Sequence, residues 1–313
     1  ARRQRRETRA RDVTSIRQRN LDTLRRRRTP IAMFTAVSVS TRGCATMRPI
    51  SLARGGRSNA RARAAPRAMA NVDEQKVVVV GGSGFVGSRV CARLRERGCA
   101  VTSVSKSGAS VEGASSAIGV DLADAASARD ALRDAFAGAE CVVSCVGVIG
   151  TDDAKMRAGN GDYNVVVVEA AKAAGVRRFV YVSVASIVPD VVGGVAMKGY
   201  FEGKTMAEDA IRANFDANEY VIVKPSFIYG GDAFSLTPPR VTQTYGDALA
   251  KVLGSGPVKA LAAKAPGPIA LTLAEPVSVD DVAGACVAGA LGMTDGESVV
   301  DGTDEIKAFA KKL

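Results

Sequence analysis

The sequence predicts an α/β fold, a doubly wound parallel sheet with a small C-terminal lobe. Three observations carry this expectation. Strand-like and helix-like stretches alternate from Lys76 onward, the strand-like ones are apolar runs without in–out alternation, and the first leads into a glycine-rich turn. Alternation with helices of about a dozen residues calls for βαβ units. Runs such as Val77–Val80 suit strands buried on both faces, as in a parallel sheet covered by helices.

Taken in order, Lys76–Val80 is a short β-branched run and Phe85–Arg97 has helical periodicity that stops at Gly98. Ala100–Val104 and Ala117–Val120 read as the second and third strands, Ala125–Phe136 as helix and Cys141–Cys145 as strand. Tyr163–Ala174 is helical, ends at Gly175 and leads into the strand Phe179–Ser183. Gly199–Asn214 is a further helix and Tyr220–Val223 a further strand. Residues 73–313 form one body of ordinary domain size. Within it, residues 226–275 are set apart as a substrate lobe, because Asp232–Val277 is rich in Ala, Leu and Pro and poor in anchoring charges. Such a wall suits a small apolar ligand, a protein or a membrane contact, and ordinary core plus loop is the plainer alternative.

The formal charge of +11 is unevenly placed. Residues 1–70 hold 19 Arg and no Lys against Glu7, Asp12 and Asp22, a net +16, and the remainder is a net −5. A nucleic-acid surface would need a basic face on the folded part, so nucleic acid is not expected as a partner. Residues 1–72 read as a leader: Arg-dense to residue 32, then rich in Ser, Thr, Ala and Arg from Met33 with no acid. That is the composition of an organelle transit peptide. Arg67-Ala68-Met69-Ala70 looks like a plastid processing site, so a chloroplast location is expected, with the mitochondrion as the alternative. No apolar stretch approaches the roughly 18 residues needed to span a bilayer. The six cysteines have no CxxC spacing and histidine is absent, which excludes His-based triads and leaves no visible metal ligand set.

The first strand runs into Gly81-Gly82-Ser83-Gly84-Phe85-Val86-Gly87 and then a helix. Gly81 would permit a tight turn, Gly84 an approach of backbone amides to a pyrophosphate, and Gly87 close helix–strand packing. A glycine motif alone is weak, but here it follows a strand and opens a helix, the context of a Rossmann-type dinucleotide site. The alternative is a structural glycine turn. Where an NAD site places an acid after the second strand, this chain has Ser105 and Lys106, which suit a 2′-phosphate. NADP(H) is therefore favoured over NAD(H), against the plainer reading of Lys106 as a solvated loop charge. Asp121 and Leu122 are placed to meet the adenine edge, and Cys145, Val146 and Gly147 to line the cofactor after the fourth strand.

With Phe179-Val180-Tyr181-Val182-Ser183, Tyr200-Phe201-Glu202-Gly203-Lys204 and Lys224-Pro225-Ser226-Phe227-Ile228-Tyr229-Gly230 in place, the chain resembles the extended and atypical short-chain dehydrogenase/reductases. Within that superfamily it looks most like an organellar branch related to the nucleotide-binding accessory subunit of respiratory complex I and to coenzyme Q-biosynthesis proteins, with plant members in mitochondria or plastoglobules. The resemblance implies Tyr200 as the group that exchanges a proton with the reacting oxygen and Lys204 as its partner and ribose clamp. It also implies Pro225 among the cofactor contacts. The two side chains stand four apart on one helix face, and a nearby ammonium would lower the Tyr pKa. A serine should steady the oxyanion. Ser183 and Ser186 are the candidates, although the matching position falls nearer Val184.

Two readings stay open. One is an organellar NADP(H)-dependent oxidoreductase acting on a quinone or lipid-like substrate, with peripheral membrane or plastoglobule association. The other is a non-catalytic NADPH-binding protein that supports a membrane complex or quinone synthesis, in which Tyr200 and Lys204 persist as an inherited clamp.

Overall fold

The computed structural model describes residues 74–192, 197–231, 235–236, 239–240, 242–262, 264 and 273–313. The leader expected over residues 1–72 lies outside them.

The chain enters the sheet as β1 (Lys76–Val80), turns into α1 (Phe85–Glu96), and continues through β2 (Ala100–Ser105), β3 (Ser116–Gly119), α2 (Ala125–Phe136) and β4 (Cys141–Ser144). Each boundary lies within about one residue of its sequence expectation. The next segment was not anticipated. A short helix α3 (Asp153–Arg157) runs through one π turn, Ala158–Asp162, into α4 (Tyr163–Ala173). Then come β5 (Arg178–Val182), α5 (Ile187–Val192), α6 (Lys198–Asn214) and β6 (Tyr220–Lys224).

Residues 226–275 include β7 (Ile228–Tyr229), the antiparallel pair β8 (Ser235–Leu236) and β9 (Pro239–Arg240), α7 (Gln243–Leu253) and α8 (Gly256–Ala262). Residues 232–234, 237–238, 241, 263 and 265–272 lie outside the described residues. The chain returns as β10 (Val277–Ser278), which pairs with β7, and ends with α9 (Val279–Leu291), β11 (Val299–Asp301) and α10 (Thr303–Ala310). α9 starts cleanly because the Ser278 hydroxyl accepts the Asp281 N–H at 3.0 Å, an N-cap bond.

Seven strands form one parallel sheet in the order β11-β6-β5-β4-β1-β2-β3. β1 pairs with β2 on one side and β4 on the other, so the winding reverses beside it. That reversal opens a crease at the carboxyl ends of the strands, where ligands of such sheets bind. The β1 run has no polar alternation because both its faces are covered. Val77 and Val79 pack with Leu94, Val101, Val143 and the α9 residues Val282 and Cys286. Val78 and Val80 pack on the opposite face with Leu132, Phe136, Val167 and Ile211. Each such buried Val contributes about 1.5–3 kcal/mol of transfer free energy. Among the described residues no helix is long and apolar enough to cross a membrane.

Candidate active site

The glycine-rich turn folds as its spacing requires. Gly81 sits at φ +80°, and its amide donates to the Val104 carbonyl at 2.7 Å, steering the chain across β2. A Cβ on Gly81 would stand 3.0 Å from the Cys145 carbonyl oxygen, and one on Gly87 only 2.2 Å from the Gly81 carbonyl oxygen. The turn is therefore pressed between the exit of β4 and the first turn of α1. Gly84 caps α1 without a side-chain hydrogen bond and no acid stands in the first turn. The positive end of the helix dipole at that point favours an anion. Ser83 and Gly84 are exposed at the tip, with Phe85 and Val86 half-buried behind them.

At the end of β2 the Ser105 hydroxyl oxygen is buried without a hydrogen-bond partner among the described residues. Lys106 beside it is exposed, and its Nζ lies 3.0 Å from the Asp121 carboxylate. The Ala123 amide and Lys106 together hold the Asp121 carboxyl below the usual carboxylate range. Leu122 is half-buried next to it. After β4, the Cys145 amide donates to the Val80 carbonyl at 2.8 Å, while Val146 is half-buried and Gly147 exposed along the crease. Burial pushes the Cys145 thiol up to about 12, which disfavours the thiolate at neutral pH. Arg89, on α1, is half-buried beside Gly231 and makes no ion pair among the described residues. It is a candidate phosphate ligand that the sequence reading did not single out.

Lys204 reaches the crease from α6. It is 5% exposed, donates to the Val182 carbonyl at 2.8 Å, and lies over the Tyr181 and Tyr200 rings at 4.8 and 5.7 Å. Burial lowers its pKa to about 8, opposed by Cys145 and Glu208. Tyr200 sits one turn earlier, and burial raises its hydroxyl to about 12. The expected lowering of Tyr200 by its neighbour is absent. The ammonium points at the Val182 carbonyl and meets the Tyr200 ring, and no hydrogen bond links it to the hydroxyl.

Ser183 is not brought to this pair. Its buried hydroxyl donates to the Glu208 carboxylate at 2.6 Å. Glu208 also receives Arg212 at 2.8 Å and Lys224 at 3.5 Å. Pro225 is buried, and its carbonyl accepts the Ala185 N–H at 2.8 Å, so it joins the exits of β5 and β6. The residue that does approach Lys204, across Gly147, is Asn160, inside the π turn. A Cβ on Gly147 would stand 3.0 Å from Asn160 Oδ1 and 3.5 Å from Lys204 Nζ. Asn160 Nδ2 donates to the Val148 and Met156 carbonyls at 2.7 and 2.8 Å, and its own carbonyl accepts the Asn164 amide. The extra residue of a π turn, a frequent mark of functional sites, aims it there.

Residues 81–249, more than half of the chain, match the model of a family described as NAD(P)H-binding. The chain belongs to this NAD(P)H-binding family. It is also 32% identical, over 80% of its length and 83% of the relative's, to an uncharacterized chloroplastic protein of Arabidopsis thaliana. Its fold is shared with a UDP-N-acetylglucosamine 4-epimerase of Methanobrevibacter ruminantium, solved with UDP-N-acetylmuramic acid. That likeness has a TM-score of 0.51 at 17% identity and covers 74% of this chain and 76% of that one. The Bordetella bronchiseptica enzyme WbmH, in complex with NAD+, gives 0.50 at 19%, covering 73% and 75%. These likenesses show a shared fold.

The residues present fit the dinucleotide that this NAD(P)H-binding family implies. The turn at Gly81 and Gly87 is a cradle that side chains would fill. The orphaned Ser105 hydroxyl, a buried polar group awaiting a partner, stands where a ribose would be held.

Proposed function

We propose that this chain is an NADP(H)-dependent oxidoreductase that reduces a carbonyl compound in the chloroplast. The observation that carries the reading is the Tyr200/Lys204 pair, set one turn apart on α6 beside the crease, with Lys204 anchored on Val182. Bound NADPH would supply a hydride, two electrons and one proton, to the carbonyl carbon. Tyr200, protonated at neutral pH as an ordinary tyrosine also is, donates the second proton to the carbonyl oxygen, so the C=O π bond is replaced by C–H and O–H. Burial, which raises its pKa to about 12, makes it a weaker acid in that role. Lys204 holds the ribose and keeps positive charge near the developing alkoxide.

Lys106 and the lack of an acid after β2 support the phosphorylated cofactor. A 2′-phosphate would have to draw Lys106 from Asp121, an exposed pair of modest strength. Lys106→Glu should remove any preference for NADPH over NADH in a fluorescence titration. Tyr200→Phe should bind NADPH as tightly as the parent but oxidise it at least a hundredfold more slowly with a carbonyl substrate. Equal turnover by Tyr200→Phe would sink the catalytic reading.

A second reading has its own support: Ser183 is committed to Glu208, and Val184 stands where a donor to the oxyanion is expected. On that reading the chain binds NADPH without turnover and supports a membrane assembly, co-migrating with a large complex. A quinone or lipid-like substrate, with peripheral association at a membrane or plastoglobule, is the finer form of the first reading. The plastid location draws on the leader composition and on the relative's chloroplastic name. A reporter fused to residues 33–72 that entered mitochondria would overturn it.

A further inference from the structure

We infer that the substrate end of the crease takes an uncharged, lipophilic carbonyl compound and holds all but its oxygen by hydrophobic contact. This rests on the oxidoreductase reading and narrows its substrate class. β4, β5 and β6 are neighbours in the sheet, so the segments that leave their carboxyl ends share one edge, on the side of β1 away from Lys106. These segments are residues 145–151, 183–189 and 225–231, and none of them contains Asp, Glu, Lys or Arg. Each contributes a large apolar side chain to solvent: Val148 is 38% exposed, Ile149 47%, Ile187 38% and Phe227 42%. The β2–β3 side of the crease is charged instead, with Lys106 and Asp121.

A charge-free rim with outward apolar side chains favours a ligand that covers them and disfavours one that must shed its hydration without a counter-charge. Charged groups do border these segments among the described residues: Asp152 follows the first and accepts the Lys155 N–H at 3.1 Å, Asp247 accepts the Tyr229 hydroxyl at 2.9 Å, and Lys224, Arg89 and Asp301 stand beside the others. Lys224 is paired with Glu208. Arg89 projects from the helix that faces the pyrophosphate. The Asp301 carboxylate accepts the Ser186 N–H at 3.2 Å and would repel an anion. Tyr200 offers the polar contact, at the reacting oxygen. The substrate should therefore have one polar end and an apolar body.

The test compares decanal with its ω-carboxylate analogue, which has the same aldehyde at the same chain length, using the full chain and NADPH. The inference expects kcat/KM at least tenfold higher for decanal. Along a series of shorter aldehydes, KM should rise by up to about fourfold per methylene removed, the factor that corresponds to ~0.8 kcal/mol per buried CH2. Ile149→Asp combined with Phe227→Asp, both on exposed side chains, should raise KM for decanal tenfold or more with NADPH affinity unchanged. A carboxylate analogue used equally well, or an unmoved KM, overturns the inference and leaves the oxidoreductase reading standing. Calorimetric titration of decanol, which NADPH cannot reduce, gives a readout without turnover. Decanol binding that the double variant abolishes, with no carbonyl reduced, would keep the apolar site and end the oxidoreductase reading. No decanol binding to the full chain with NADPH overturns the inference whatever the turnover shows.

Discussion

Lys204 carries an amino group into a pocket formed by the Val182 carbonyl and two tyrosine rings, and burial brings its pKa down to about 8 from an unfolded value of about 10.4. A base whose folded pKa is lowered destabilises the fold at low pH, where both states are charged. That penalty lifts as pH rises from about 8 toward 10.4, because only the unfolded state still holds the proton. Urea unfolding of the parent and Lys204→Met at several pH values should show the parent gaining on the variant by about 1.4 kcal/mol per pH unit across that window. A difference independent of pH would mean that the group keeps its ordinary pKa. Near pH 8 the same deprotonation removes positive charge from the cofactor side, so NADPH affinity should weaken above that pH in the parent and stay flat in Lys204→Met. The Tyr200/Lys204 pair was legible because four residues along a helix bring two side chains to one face. The direction of Ser183 was not, since its partner Glu208 stands 25 residues away on another element.

At the scale of elements, α6 is held against the segment from α3 to α4 by backbone approach. A Cβ on Gly199 would stand 1.9 Å from the Asp153 carbonyl oxygen, and one on Gly203 would stand 2.8 Å from the Gly161 amide nitrogen. Gly199→Ala must push α6 outward and carry Tyr200 and Lys204 with it. It should destabilise the body by about 1–3 kcal/mol, as overpacking does, and weaken NADPH binding, checked by thermal melting and titration. Glu208 ties the same helix to β5 and β6 through Ser183 and Lys224. Glu208→Ala should lose about 3–5 kcal/mol by stranding buried partners, and Glu208→Gln, which can still accept from Ser183, should lose less. The helix pattern over Gly199–Asn214 was readable from the sequence, but the π turn was not. It depends on Asn160 finding the Val148 and Met156 carbonyls, a tertiary condition with no local periodicity.

Across the whole molecule, the strand order as far as β6 and the helices α1, α2, α4 and α6 were legible from their apolar runs, and α1, α2 and α4 also from a glycine stop, whereas α3 and α5 were not foreseen. The C-terminal closure was less so. β11 is only Val299–Asp301, and its place at the sheet edge comes from pairing with β6 rather than from its composition. Deleting residues 293–313 removes β11 and α10, with Ile306 and Phe309 from the core. The truncated chain should be recovered as aggregate, or bind a hydrophobic dye more strongly than the parent does.

The two faces of the sheet also differ in when they can be finished. The core beside α2, α4 and α6 draws on residues no later than Ile222, whereas the core beside α1 and α9 needs residues as late as Phe309. A chain emerging N-terminus first, from a ribosome or through an import channel, can seal one side of its sheet while the other stays bare until the last turn of helix arrives. During that interval Val77, Val79, Val101 and Val143 form a sticky, half-clad surface of the kind that holding chaperones recognise. Slow release of the final segment should therefore lengthen the time during which the chain is open to aggregation and proteolysis, even though the cofactor turn was synthesised long before.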